Sequence, residues 1–197
     1  MVDQRTTDFL TGGSGDRRSF FRSTVGRLAE EVGKRAEARV VQQRYLRPPG
    51  ALDEVPFLAA CTRCGECNAA CPVNAIVKVP TSGGLAAGTP MINASVQACI
   101  ACEDMPCAVV CPTEALAVPE SGWEGYRMAE LELDSDRCIA FYGSQCGVCA
   151  RACPVGEKAM SLDDGGRPVI KFEGCVGCGS CVRACVTSPS SLTLRYK

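Results

Sequence analysis

The sequence predicts an α+β fold: two βαββαβ modules, made from a short cysteine-bearing unit that occurs four times, preceded by an amphipathic N-terminal helix. Three observations carry that prediction. Sixteen cysteines fall into four quartets with none left over: Cys61, Cys64, Cys67 and Cys71; Cys99, Cys102, Cys107 and Cys111; Cys138, Cys146, Cys149 and Cys153; Cys175, Cys178, Cys181 and Cys185. Short apolar runs of strand length, several of them alternating, flank the quartets. One Trp, four Tyr and six Phe are too few for an ordinary core in 197 residues, and Gly and Ala crowd the cysteines instead.

The elements follow in order. Residues 1–15 are polar and Gly-rich, the composition of a terminal arm. Residues 16–47 carry Arg17-Arg18-Ser19-Phe20-Phe21, which looks like a twin-arginine export signature. Such a signal needs an uncharged apolar stretch next, and here Arg27, Glu30, Glu31, Lys34, Arg35, Glu37 and Arg39 follow instead. Phe21, Val25, Leu28, Val32, Ala36 and Val40 recur every three or four residues, the stripe of an amphipathic helix. Nine basic against four acidic residues give that helix a positive polar face. It is expected to dock on the body or on a partner; lying on an anionic membrane surface is the alternative.

Pro48 and Pro49 end the helix, and 47–52 reads as an extended linker. A first division is therefore an arm and docking helix over 1–50 and a four-cluster body over 51–197. A short helix is expected from Asp53 or Glu54 to Ala60. The lead-in runs of the repeat are Met91–Ala94, Met128–Leu133 and Pro168–Phe172; the exit runs are Ala75–Val79, Ala115–Val118, Ala159–Leu162 and Ser191–Leu194. Between them, 80–90 and 119–127 read as surface loops, with Trp123 a candidate partner contact.

The first quartet, followed by Pro72, has the C-x2-C-x2-C-x3-C-P spacing that holds a cubane [4Fe-4S] cluster in bacterial ferredoxins. Three closely spaced thiolates wrap three irons; the fourth Cys, in two-cluster ferredoxins, ligates the other cluster. Gly65, Gly147, Gly177 and Gly179 keep the loops free of side chains, so that backbone N–H groups can face cluster sulfurs and tune the potential. The second and third quartets carry insertions but end in Cys-Pro. The fourth has Val186 where Pro is usual. Disulfides and zinc fit less well: cysteine triplets pair poorly, and zinc ribbons use two separated pairs. All sixteen cysteines are therefore expected to ligate the irons of four [4Fe-4S] clusters.

The composition excludes other chemistry. No histidine is present, which removes Rieske centres, His-ligated haem and the commonest general base. The formal charge is -1, but four clusters with their thiolates would bring the loaded protein to about -9. That argues against nucleic-acid binding, which needs a basic face. No window of some 20 apolar residues suggests a transmembrane helix. With no G-x-G-x-x-G and no P-loop, a catalytic site of its own is not expected.

Arg47-Pro48-Pro49-Gly50-Ala51 with Phe57-Leu58, Ile100-Ala101-Cys102-Glu103-Asp104-Met105-Pro106-Cys107 with Cys111-Pro112, and Gln145-Cys146-Gly147-Val148-Cys149 with Cys153-Pro154-Val155 resemble the MauM/NapG family of ferredoxin-type proteins. The resemblance covers about residues 47–195. It implies four [4Fe-4S] clusters and a relay of electrons from a membrane-embedded or quinone-linked partner to a catalytic oxidoreductase subunit. A freely diffusing polyferredoxin and an iron–sulfur assembly or maturation factor are the alternatives. The expected location is cytoplasmic, peripheral at the inner membrane, with twin-arginine export to the periplasm as the alternative. By analogy with four-cluster subunits of molybdenum oxidoreductases, nested pairing of the quartets, first with fourth and second with third, is expected over sequential pairing.

Overall fold

Each cysteine quartet bends the chain through the same sequence of conformations, and the fold is that bend repeated. The computed structural model describes residues 45–196, which belong to one compact unit. The proposed helix at 16–47 lies almost wholly outside the described residues.

A short helix α1 (Glu54–Ala60) leads into the first quartet, as the sequence suggested. One-turn helices then carry the third cysteine of every quartet: α2 (Glu66–Ala69), α3 (Pro106–Val109), α4 (Val148–Arg151) and α5 (Ser180–Ala184). Each starts after a residue in the left-handed region: Gly65, Met105, Gly147 and Gly179. Three are glycine, the residue that adopts this conformation without a Cβ penalty. In the second quartet the insertion puts Met105 there at φ +41, and its complete burial holds it in place. Each helix ends where the fourth cysteine's amide donates to the carbonyl three residues back, at 3.2, 3.2, 3.3 and 3.4 Å for Cys71, Cys111, Cys153 and Cys185.

Six short strands make three antiparallel pairs. β1 (Ile76–Lys78) pairs with β2 (Pro90–Ile92), and β4 (Met160–Leu162) with β5 (Pro168–Ile170). β3 (Glu130–Leu133) pairs with β6 (Leu192–Arg195), Leu131 opposite Leu194 and Leu133 opposite Leu192. The second module, from Met128 onward, thus has both ferredoxin hairpins: an inner pair between its quartets and an outer pair joining its ends. The first module has the inner pair, but its outer pair is reduced to a single bridge, Ala51 opposite Leu116.

That bridge moves the start of the body. The segment 46–52, read from sequence as a linker, is the missing first strand in reduced form. Ile92 N–H donates to Leu46 O at 2.7 Å, Ala117 N–H to Gly50 O at 2.8 Å and Leu52 N–H to Ala115 O at 3.1 Å. Arg47 is buried and spans the joint. It donates to Glu54 Oε1 at 2.5 Å, Thr89 Oγ1 at 2.8 Å and Pro90 O at 2.8 Å, and its guanidinium lies 4.6 Å from the Phe57 ring centroid. The division after residue 50 therefore falls inside the body, because Pro-Pro ends a helix without ending the packing.

The larger core gathers Leu46, Phe57, Met105 and Leu116 with cysteines of the first module; a smaller one gathers Leu131, Met160 and Leu192 with Cys149 and Cys181. The modules meet where Gly179 passes against Ala94, while within the second module Gly177 passes against Ala129. A Cβ on Gly177 would stand 2.1 Å from Ala129 O, and one on Gly179 2.4 Å from Ala94 Cβ. Arg183 Nε donates to Val96 O across the same joint, at 2.9 Å.

Candidate metal centres

Four cavities, each lined by four thiols, follow from the repeated bend. The outer site of the first module takes Cys61, Cys64 and Cys67 from the first quartet and Cys111 from the second. The inner site of that module takes Cys99, Cys102 and Cys107 with Cys71. In the second module the inner site has Cys175, Cys178 and Cys181 with Cys153, and the outer site has Cys138, Cys146 and Cys149 with Cys185. All sixteen predicted cysteines line one of these cavities. Ligand exchange runs first with second and third with fourth. The expected nested pairing is corrected: the helices of consecutive quartets pack on each other, α2 on α3 and α4 on α5, so each delivers its fourth cysteine to its neighbour.

The donor set fits a cubane. Among the described residues no three Cys, Asp or Glu side chains converge as a single ion would require. Zinc would draw four sulfurs to about 2.3 Å from one point; here the thiols stand around apolar-walled cavities instead. Four sulfurs, spread wider than a mononuclear site and walled off by Ile, Leu, Val and Pro, suit an iron–sulfur cluster.

Backbone and hydroxyl groups face the fourth cysteines. Ala75 N–H donates to Cys71 Sγ at 3.3 Å and Leu116 N–H to Cys111 Sγ at 3.4 Å. Around Cys185 side-chain hydroxyls join the backbone: those of Thr187 and Ser191 lie 3.2 and 3.3 Å from Sγ. Burial opposes ionisation there, but the hydrogen bonds from the Ser191 and Thr187 hydroxyls, the Thr187 backbone and the Ser190 hydroxyl together outweigh it and bring the Cys185 thiol down to about 6. The thiols deeper in the body move the other way. Burial, then the neighbouring Cys61 and Cys64, pushes Cys67 up to about 11. Burial holds Cys107 at about 11 and Cys99 at about 12.

The same electrostatics give the order of the sites. The charge of Cys67 opposes ionisation of Cys107, that of Cys178 opposes Cys99, and that of Cys149 opposes Cys181. Neighbours therefore run from outer to inner site in the first module, across the joint, then from inner to outer site in the second. Ser180, between Cys178 and Cys181, donates its hydroxyl to Cys99 O at 2.9 Å and ties the two inner sites.

Trp123, the candidate contact of its surface loop, is half-buried. Its Nε1–H donates to Cys102 O at 2.7 Å, and its ring packs at 5.8 Å and 59° on Tyr126, whose hydroxyl accepts from Gly50 N–H at 2.8 Å. It ties its loop to the Cys102 backbone beside the inner site of the first module. Arg63, beside exposed Cys64, is spent on the carbonyls of Cys61, Leu85 and Ala87, which pin the loop 80–90 over the outer site. Sequence reasoning missed Ser191 and Thr187, although the hydroxyl-rich run after Cys185 was the available signal.

These modules and their ligand sets define a ferredoxin-type electron-transfer protein carrying four [4Fe-4S] clusters. A 4Fe-4S dicluster domain family matches residues 60–115 and 98–157, and a second family of the same description matches 130–186. The ferredoxin-type protein NapG of Escherichia coli (strain K12) is 37% identical over 187 residues, covering 86% of this chain and 81% of that protein. The methylamine utilization ferredoxin-type protein MauM of Paracoccus denitrificans (strain Pd 1222) is 37% identical over 164 residues, 79% and 73% of the two chains. The ferredoxin-type protein NapF of Haemophilus influenzae is 28% identical over 142 residues, 71% and 74%. The chain belongs to the NapG/MauM family of ferredoxin-type proteins. Among the described residues no helix is long and apolar enough to cross a membrane.

Proposed function

We propose that this chain is a fixed electron-transfer subunit, relaying single electrons through its four clusters between a membrane quinone-linked partner and a catalytic oxidoreductase subunit. The observation that carries this reading is the uninterrupted order of the four sites, with an outer site at each end. Cys64 is exposed at one end; at the other, Tyr142 and Val186 are 72% and 58% exposed beside the outer site. A carrier that takes and gives electrons at a single surface needs one such end; a relay needs two. Bound clusters supply the one-electron chemistry. The chain's own part is to hold them by sixteen thiolates, keep water out with apolar walls, and set their potentials through the groups donating to sulfur. The relay works as one part of a larger oxidoreductase system, at the cytoplasmic face of the inner membrane.

The test is anaerobic recovery of the native protein from membrane and soluble fractions, with iron counted. Stoichiometric co-purification with a quinone-reactive or catalytic subunit, at about 16 Fe per chain, is the expected result. Full loading but recovery alone from the soluble fraction would make it a diffusible polyferredoxin. Recovery on an apo-enzyme with little iron would make it an assembly factor. Recovery from a periplasmic extract would overturn the cytoplasmic placement.

A further inference from the structure

The fourfold repeat provides an internal comparison. The residue that opens each exit run, after the fourth cysteine, is Ala75, Ala115, Ala159 and Ser191. All four are buried, at 2%, 1%, 2% and 2% exposure, and each is followed by a buried apolar residue: Ile76, Leu116, Met160 or Leu192. The fold thus asks for a small buried residue here and uses alanine three times. Only the last unit places a hydroxyl there, and that hydroxyl lies 3.3 Å from Cys185 Sγ. Thr187 adds a second at 3.2 Å, held in place as its Oγ1 accepts the Ser191 N–H at 2.9 Å. Cys111, which serves the other outer site, takes the Leu116 N–H at 3.4 Å and has a threonine hydroxyl only at 3.8 Å.

A ligand thiolate cannot donate, so both hydroxyls at Cys185 donate to sulfur. A hydrogen bond to a ligand sulfur stabilises the more negative, one-electron-reduced form of a cluster more than the oxidised form, and so raises its potential. We propose that the Ser191 and Thr187 hydroxyls make the outer site of the second module, held by Cys138, Cys146, Cys149 and Cys185, the most positive of the four, so that electrons collect at that end. The inference rests on the electron-transfer reading above and gives the relay its direction. Ser191 and Thr187 are positioning residues here, because they touch the ligand rather than the metal.

The test is a potentiometric titration of the loaded, anaerobic full chain, with dithionite as reductant, redox mediators in solution and electron paramagnetic resonance as readout. Each cluster takes one electron, and no bond in the protein forms or breaks. The native protein is compared with Ser191→Ala, which installs the residue the protein already uses at the three equivalent positions. The expected result is that the highest of the four midpoints alone falls. Its reduced-to-oxidised ratio at fixed potential should drop about tenfold, equal to ~59 mV for one electron, with iron content unchanged. Thr187→Val should move the same midpoint in the same direction, and it reads the same quantity should Ser191→Ala lose iron. An unmoved highest midpoint, or a shift confined to a lower one, overturns the proposal. Clusters that cannot be cycled at all would instead refute the electron-transfer reading.

Discussion

Single atoms decide whether the second module closes on itself. Gly177 sits at φ +69 with Ala129 O where a Cβ would be. Gly177→Ala adds left-handed strain of about 1–2 kcal/mol to an overlap costing typically ~1–3 kcal/mol. The expected loss is about 2–5 kcal/mol, read as a fall in thermal midpoint and loss of iron from the second module. The thiols carry a second prediction. Burial holds Cys67 and Cys107 at about 11 and Cys99 at about 12, so at neutral pH these three thiols are protonated. Cluster uptake must expel those protons, which acid opposes. Anaerobic reconstitution should therefore give less iron and less visible absorbance at pH 6 than at pH 8.5; equal yields would show that the thiols ionise freely. Much at this scale was legible: spacing alone singled out the sixteen cysteines that line the four cavities, as well as Gly65, Gly147, Gly177 and Gly179, all of them at positive φ. Met105 in a glycine's place was not, because only its burial inside the folded body holds a left-handed methionine.

Among the elements, the segment 46–52 depends most on one pair. Arg47 and Glu54 are both buried and meet at 2.5 Å, and Arg47 also holds Thr89 and Pro90. Removing one partner leaves a buried charge alone, so Arg47→Ala should cost about 3–5 kcal/mol. Replacing both, with Arg47→Met and Glu54→Gln, should cost less than Arg47→Ala; thermal unfolding of the loaded protein compares them. Six of the seven flanking runs read from sequence contain strands, since alternating or β-branched residues between turn signals are a local property. The run Ala115–Val118 became a single bridge. Its partner, 46–52, carries two prolines and a glycine, which spoil a strand pattern while leaving enough amides and carbonyls for three ladder bonds. The hydrogen-bond partner of Trp123 was not legible for a related reason: a loop in sequence is silent about the carbonyl, here that of Cys102, that will receive its indole N–H.

At the scale of the whole molecule, pairing was the feature the sequence left open. Four similar quartets admit both nested and sequential exchange. The choice depends on which helices pack, and that is set by long-range contacts such as α2 on α3. A mutational check uses iron counts. Cys64→Ala and Cys111→Ala should each remove one cluster, and the double variant no more than one, leaving about 12 Fe. Cys64→Ala with Cys107→Ala should leave about 8 Fe, since those thiols serve different sites. Loss of two clusters from the Cys64 and Cys111 pair would restore the nested scheme.

The crossed ligation also imposes a schedule on a chain made from its N-terminus. Cys61 to Cys71, spaced as a complete motif, do not complete a site, because Cys71 belongs to the next one. The first complete ligand set exists only once Cys107 has been made, and it is the inner site; the outer site follows at Cys111. The second module repeats this, with Cys181 completing its inner site and Cys185 its outer one. Both halves therefore become ready to receive metal from the inside outward, and the last set of thiols to be completed belongs to the cluster that Ser191 overlooks.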